Sequence, residues 1–332
     1  MTINFRILCV LLLALFVSCA NKKKERKLIP PSFGETNSII VVAETNLWDS
    51  MLGDFMRDSI WAEIYGLPQK EPHFDFVHIT PSDFEQPGNK IFKNKAILRI
   101  VESDYSGVKF FEDLYSLPQL YCEITALSEE DLIKILRKNS EYMLKKLKAV
   151  EFEQKSIQLN NISKNNSQLK KALNVKIDLP RTYRIATARE NFFWIRKDNE
   201  NVSLNLMLYS VPIKSQNLKS LDVLFVSRKR DSISTSFVPG QFGGKRGDFM
   251  IIEPNYKPSF SQGVFENLIV YEMRSLWKVK GTFMSGPFVN YCFVDNKNER
   301  LLFADGFVYA PSKRKRDYLF ELETIIRSIK FL

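Results

Sequence analysis

The sequence predicts an α+β protein with two mostly antiparallel sheets, each flanked by helices and joined by a long helical connector. Three observations carry that prediction. Short apolar or alternating runs, bounded by Gly and Pro clusters, fall into two groups on either side of the middle of the chain. Between the groups, Ser128 and the acids Glu129, Glu130 and Asp131 read as a helix start, followed by a stripe of Leu132, Ile135, Leu136, Met143, Leu147 and Val150. The chain closes on a second amphipathic stretch after Pro311.

Taken in order, Pro30-Pro31-Ser32-Phe33-Gly34 marks the entry to the folded part, and the continuous apolar run of residues 38–43 reads as a buried strand. Helical spacing follows over 47–65, through Leu47, Met51, Phe55, Ile60 and Ile64, and ends at Gly66-Leu67-Pro68. Residues 74–79, 96–101 and 120–125 read as further strands. The polar run Asn160 to Ser167 reads as a turn between two helices, the second ending near Leu173. Beyond Leu179-Pro180 the alternation strengthens, with strands over 183–187, 192–196, 203–211, 268–274, 277–283, 289–294 and 300–308. Helices are expected over 218–230 and 316–329, the latter with Leu319, Phe320, Leu322, Ile326 and Ile329 on one face. No short repeat is visible.

The amino terminus sets the compartment. Arg6 precedes an apolar run from Ile7 to Val17, too short to span a bilayer but of the length of a secretory signal. Leu15-Phe16-Val17-Ser18-Cys19 resembles a bacterial lipobox. That resemblance implies cleavage before Cys19, thioether lipidation of its sulfur and acylation of the new amino terminus. The organisation that follows is a signal over 1–18, a lipidated tether over 19–36, an N-terminal α+β half over 37–127, a helical connector over 128–178 and a C-terminal α+β half over 179–332. Localisation is then the bacterial cell envelope, lipid-anchored, and the lack of an acidic cluster just after Cys19 points to an outer-membrane position facing the periplasm.

Composition narrows the function. With 45% apolar residues and 26 Phe among 332 residues, the chain has material for a packed core and is not disordered. Its net charge of +10 would suit nucleic acid, but an exported lipoprotein would seldom meet any, and no nucleic-acid partner is expected. Two runs concentrate the excess. Lys22-Lys23-Lys24-Glu25-Arg26-Lys27 directly follows the lipid site and reads as a solvated tether that can also lie against anionic headgroups. Lys313-Arg314-Lys315-Arg316 opens the last helix, where positive charge opposes the helix dipole; it marks either an anionic partner or, more plainly, a solvated helix face. Of the four cysteines, Cys122 and Cys292 remain after signal removal and lipidation; they are candidates for a disulfide between the halves, or two separate buried thiols.

No pattern announces a reaction. The two histidines, His73 and His78, make no HExxH spacing, the cysteines no CxxC, the serines no GxSxG and the glycines no Walker loop. No metal or cofactor is expected. The candidate ligand loop is Gly240-Gln241-Phe242-Gly243-Gly244-Lys245-Arg246, where glycines let backbone amides approach an anion and Lys245 and Arg246 add charge; the alternative is a plain turning loop. Trp194 and Arg196, with Trp277, would line an aromatic cleft, and Arg228 and Asp231 would supply a guanidinium and an acid beside it.

The chain also carries Leu67-Pro68-Gln69 with Glu71-Pro72, then Phe193-Trp194-Ile195-Arg196, Gly286-Pro287-Phe288 and Gly306-Phe307-Val308-Tyr309-Ala310-Pro311, followed by Lys315 and Tyr318. In this order they resemble a family of Bacteroidota lipoproteins classed as a domain of unknown function. The resemblance implies export and lipid anchoring and brings no substrate or catalytic residue. The tail, with Phe307 to Pro311 and the closing Arg327-Ser328-Ile329-Lys330-Phe331, is similar to the PsbP-like sandwich, which places helices on both faces of an antiparallel sheet. The function expected is therefore non-catalytic binding of a protein partner or envelope component. The alternatives are an envelope hydrolase using Asp or Glu with an arginine clamp, and a small-molecule carrier with an apolar pocket.

Overall fold

A computed structural model of the chain describes residues 29–61, 63–164, 166–213, 221–238 and 247–332. The expected signal over 1–18, Cys19 and the candidate loop over 240–246 lie outside the described residues. The expected α+β architecture holds, with two sheets joined by a long helix.

The first sheet contains β1 (Ser38–Val42), β2 (Asp75–Ile79), β3 (Ala96–Glu102), β4 (Gly107–Glu112) and β5 (Leu120–Ala126), in the order β2-β1-β3-β5-β4. Its pairing corrects the expectation of two mostly antiparallel sheets: β1 runs parallel to β2 and β3, β3 runs parallel to β5, and β4 alone pairs antiparallel. Parallel neighbours need a crossover. The first holds two short helices, α1 (Thr45–Trp48) and α2 (Met51–Asp58), and the second holds α3 (Pro81–Phe84). The single helix expected over 47–65 is thus two. Ser50 stands between them and turns its hydroxyl back to the Leu47 carbonyl, and Trp61 beyond them is left-handed, with φ 54°. Every residue of β1 is buried, as befits a strand covered on both faces.

One face of this sheet packs on the connector, α4 (Glu129–Ile162). Ser128 caps it by accepting from the Asp131 amide, and three acids fill its first turn. Leu132, Leu136, Met143 and Leu147 are wholly buried against β3 and β5. At 1.5 Å per residue the helix is about 51 Å long. It therefore outruns the first sheet, and the expected turn at 160–167 begins only after Ile162. There β6 (Ser163–Lys164) pairs with a later strand, α5 (Ser167–Leu173) follows, and β7 (Val175–Lys176) and β8 (Leu179–Pro180) enter the second half.

The second sheet is antiparallel throughout. It comprises β9 (Arg184–Arg189), β10 (Phe192–Asn199), β11 (Val202–Pro212), β12 (Met250–Ile252), β13 (Ser259–Phe265), β14 (Leu268–Val279), β15 (Ser285–Asp295) and β16 (Arg300–Tyr309). The order is β12-β14-β15-β16-β11-β10-β9, with β13 also on β14. Residues 268–274 and 277–283, read as two strands, belong mainly to the single β14, while β4 and β13, in which no residue is buried, carry no apolar run to signal them. Helix α6 (Val223–Phe237) lies on one face and α7 (Arg316–Arg327) on the other, where the sheet's Leu206, Val289 and Ala304 meet Leu319, Leu322 and Ile326. The last strand, β17 (Lys330–Phe331), pairs with β7.

The glycines of two familiar motifs have a steric cause. A Cβ on Gly306 would sit 3.0 Å from that of Leu322 in α7, and one on Gly286 would sit 2.0 Å from the Val308 carbonyl oxygen. Gly286→Ala is expected to lower the free energy of unfolding by about 1–3 kcal/mol or more, whereas Gly107→Ala, with nothing within 4 Å, should leave it nearly unchanged. Urea denaturation of both variants checks this.

Candidate functional site

The face of the larger sheet that carries α6 is anchored by one buried ion pair. Val226, Arg230 and Ser234 recur every fourth residue of α6, so all three face the sheet, and all three are buried. The Arg230 Nε lies 2.7 Å from Asp305 Oδ2 on β16, both side chains have no exposure, and the guanidinium stands 3.8 Å above the Phe288 ring. Asn290 on β15 donates to the same carboxylate oxygen at 3.0 Å, and Ser234 donates to the Met250 carbonyl. The pair fixes α6 over the middle strands. Beyond its C-terminal end none of the described helices covers the sheet.

That uncovered region is a cleft of about 300 Å3 whose floor includes Trp194, Trp277, Phe307 and Tyr309, with Val238, Met250 and Met284 along its sides. The indoles are held by their N–H groups. Trp194 donates to Asn205 Oδ1 at 3.1 Å, and buried Trp277 donates to the Val308 carbonyl at 3.2 Å while meeting Phe307 edge-on at 5.6 Å. Arg196 lies over the Trp194 ring at 4.9 Å and is paired with Asp198 at 2.8 Å. Ser203 and Asn205 are the neutral polar groups of the lining. Phe283, one residue from Met284, is fully exposed. The arrangement suits an apolar or aromatic group that enters with one or two hydrogen-bonding atoms.

A second cavity, of about 480 Å3, lies between the halves. Glu323 of α7 is at its base, accepting from Tyr291 at 2.8 Å and paired with Arg274 at 2.8 Å and Arg327 at 3.2 Å. Burial would raise the Glu323 carboxyl, but Arg274 and Arg327 outweigh it and hold it at about 2. Lys148 of α4 donates to Asn37 Oδ1 at 2.8 Å, and burial brings its ammonium down to about 8. Burial, with Lys148 nearby, holds His73 at about 4, so its imidazole is neutral at physiological pH. Arg274, Arg316 and Arg327 are each ion-paired within the fold, whereas Lys148 is held by Asn37 and the His73 carbonyl.

The wall of this cavity explains the basic run 313–316. Lys313 and Arg314 are exposed, but the rest of the run is not a solvated helix face. Lys315 and Arg316 are buried, and their amides donate to the two carboxylate oxygens of Glu71 at 2.8 and 3.0 Å. Arg314 makes two bonds to Asp75, at 3.0 and 3.1 Å, and Arg316 makes one at 2.7 Å. Burial raises the Asp75 carboxyl, but the bonds from Arg316 and Arg314 outweigh that and keep it below its ordinary value.

Of the residues singled out from the sequence, the structure brings Trp194, Arg196 and Trp277 into one cleft. Arg228 and Asp231 are not in its lining: Arg228 is exposed on α6, and Asp231 accepts from the Ile252 amide at 2.9 Å. The helix runs over Val223–Phe237 rather than ending at Arg230, and Arg230 lies on its inward face. The spacing of Val226, Arg230 and Ser234 was the signal for it. Cys122 and Cys292 are free and buried, one in each half's core, which overturns the disulfide candidate. Burial pushes the Cys122 thiol up to about 12 and raises Cys292 further, so both are inert. Among the described residues, no group of three or more His, Cys, Asp or Glu is placed to hold a metal, and no helix is long and apolar enough to cross a membrane.

Family models divide the chain near the end of α4. That for a domain of unknown function, DUF8532, matches residues 32–160, and that for another, DUF4837, matches residues 161–328, just over half of the chain. No curated protein matches it. Two solved structures are similar in part: a mutant of the protein Mog1, and the Saccharomyces cerevisiae Ran-binding protein Mog1p. Each covers 47% of this chain and 90% or 89% of its own, at 6% and 7% identity and a TM-score of 0.31, a likeness too slight to support an argument.

The Glu323 cluster makes a prediction about acid. Its carboxyl is depressed in the fold, so its contribution is complete above the ordinary glutamate value of 4.5 and is lost as pH falls toward about 2. Glu323→Gln removes the counter-charge of Arg327 and one of the two carboxylates on Arg274, which keeps Glu272, and should cost about 1–3 kcal/mol at neutral pH. The difference from the parent protein should shrink below pH 4.5. Denaturant midpoints measured from pH 7 to pH 3 would show it.

Proposed function

This chain belongs to the DUF4837 family, and we propose that it is a non-catalytic, lipid-anchored protein of the bacterial cell envelope that holds a protein partner in the aromatic cleft of its larger sheet. The anchor rests on the lipobox-like Leu15-Phe16-Val17-Ser18-Cys19, and the periplasm-facing position on the lack of acids just after it.

The observation that carries the binding reading is the open cleft with fully exposed Phe283 beside it. A Phe held entirely in water costs solvation that burial against a partner would recover, by roughly 1.5–3 kcal/mol. Trp and Met walls accept varied apolar side chains, and Asn205, Ser203 and Arg196 offer orienting bonds. The electrostatics point the same way. The buried acids Asp305, Glu323 and Asp295 are each engaged by an arginine, an arrangement that favours ion-paired structure over proton transfer.

Photocrosslinking in cells tests both parts. A benzoylphenylalanine in place of Phe283 should capture one discrete protein, and Trp194→Ala should reduce the yield at least fivefold, as loss of a cleft anchor would. The same adducts from a probe at exposed Ser236, or none at Phe283, would contradict the cleft. A small molecule retained in native mass spectra and lost in Trp194→Ala would turn the reading to a carrier. Separately, Cys19→Ser should move the protein from the membrane fraction to the soluble one.

A further inference from the structure

The outer face of the first sheet, opposite α4, has a thin cover. Only Ile40, Val42, Ile97, Tyr121 and Phe84 form its buried cluster, roofed by α3 and the segment around Phe92. Its margin is a contiguous apolar surface. Ser32 donates to the Leu117 carbonyl at 3.0 Å, and Leu117 donates to that of Pro30 at 2.9 Å, so the first described residues lie alongside the loop between β4 and β5. Tyr115 meets Phe92 at 5.5 Å and Tyr121 at 6.0 Å, and Phe111 meets Tyr121 at 5.9 Å. Ile29, Phe33, Phe111, Leu114, Tyr115 and Leu117 are each between 38% and 46% exposed. Exposed apolar residues scattered singly need no explanation, but six together do.

We propose that this surface docks onto the phosphate-rich headgroup layer of the membrane that holds the lipid, so that the domain lies against the bilayer rather than swinging free. The inference rests on the lipid-anchor reading of Cys19. Its own grounds are where the chain emerges and what lies between. Ile29 belongs to the surface and is only ten positions along the chain from Cys19, a reach of at most about 36 Å. A tether that short presents the surface to the bilayer at a millimolar effective concentration, so weak affinity suffices. The intervening Lys22, Lys23, Lys24, Arg26 and Lys27, against Glu25 alone, match anionic headgroups. Tyr and Phe are residues that settle at such an interface. Of the acids beside the surface, Glu112 pairs with Lys146 at 2.7 Å and Asp113 accepts from the Gln119 amide, while Glu35 and Glu153 are exposed and offset part of the tether's positive charge.

The test uses the lipidated full chain in vesicles of phosphatidylethanolamine and phosphatidylglycerol. A bimane label is placed at Leu117→Cys, or in a second variant at Phe111→Cys, with Val264→Cys in the other half as reference. Cys122 and Cys292 are buried and stay unlabelled. Brominated phospholipid should quench the labels at 117 and 111 at least twofold more than the label at 264, and iodide in the water should quench them less. Equal, weak lipid quenching at all three sites in protein that floats with the vesicles would overturn the docking and leave the anchor standing. Protein that does not float would overturn the anchor and the docking together.

Discussion

Everything in this molecule depends on how the start of its last helix is neutralised. Four consecutive cations at the head of α7 face the positive end of a helix dipole, and alone they would fray the first turn. Glu71, almost wholly buried, supplies what the local sequence lacks: its two oxygens accept the Lys315 and Arg316 amides. Asp75 then takes the guanidinium groups of Arg314 and Arg316. Both acids come from the first half, some 240 residues earlier in the chain. The helix that covers one face of the second sheet is therefore completed by the first.

The rest of the junction follows from that contact. Once α7 is seated, Phe320 meets Phe152 of α4 at 4.5 Å, Glu321 pairs with Lys155 and Lys197, and Glu323 gathers Arg274 and Arg327 beneath the shared cavity. On the opposite face, α6 is fixed by Arg230 and Asp305 and stops short of Trp194 and Trp277. Among the described residues the sheet is thus braced on the side of α7 and open at one end of the other, which is where the aromatic cleft lies. The thinly roofed face of the first sheet is a separate surface, next to the first described residues.

How much of this the sequence discloses depends on how local each cause is. The long helix is legible because its cap, first-turn acids and apolar stripe are all within it, and the second sheet because alternation repeats strand by strand. Parallel pairing in the first sheet is not legible from each strand alone, although the full burial of Ser38–Val42 follows the continuous apolar run that signalled it. Trp194, Arg196 and Trp277 were legible as a cleft because aromatic and cationic side chains stood together on strands. Arg230 was not, since its partner Asp305 is 75 residues away and the helix runs further than its composition suggests. The run 313–316 shows the same limit: its counter-charges, Glu71 and Asp75, are named in the sequence but paired only by the fold.

The most direct test is hydrogen exchange, followed by mass spectrometry, of the parent protein and of the double variant Glu71→Gln, Asp75→Asn. If the junction joins the halves, exchange should accelerate at least tenfold together in the first turns of α7 and in β2, on opposite sides of the contact. Faster exchange confined to β2, with the start of α7 as protected as before, would contradict the account.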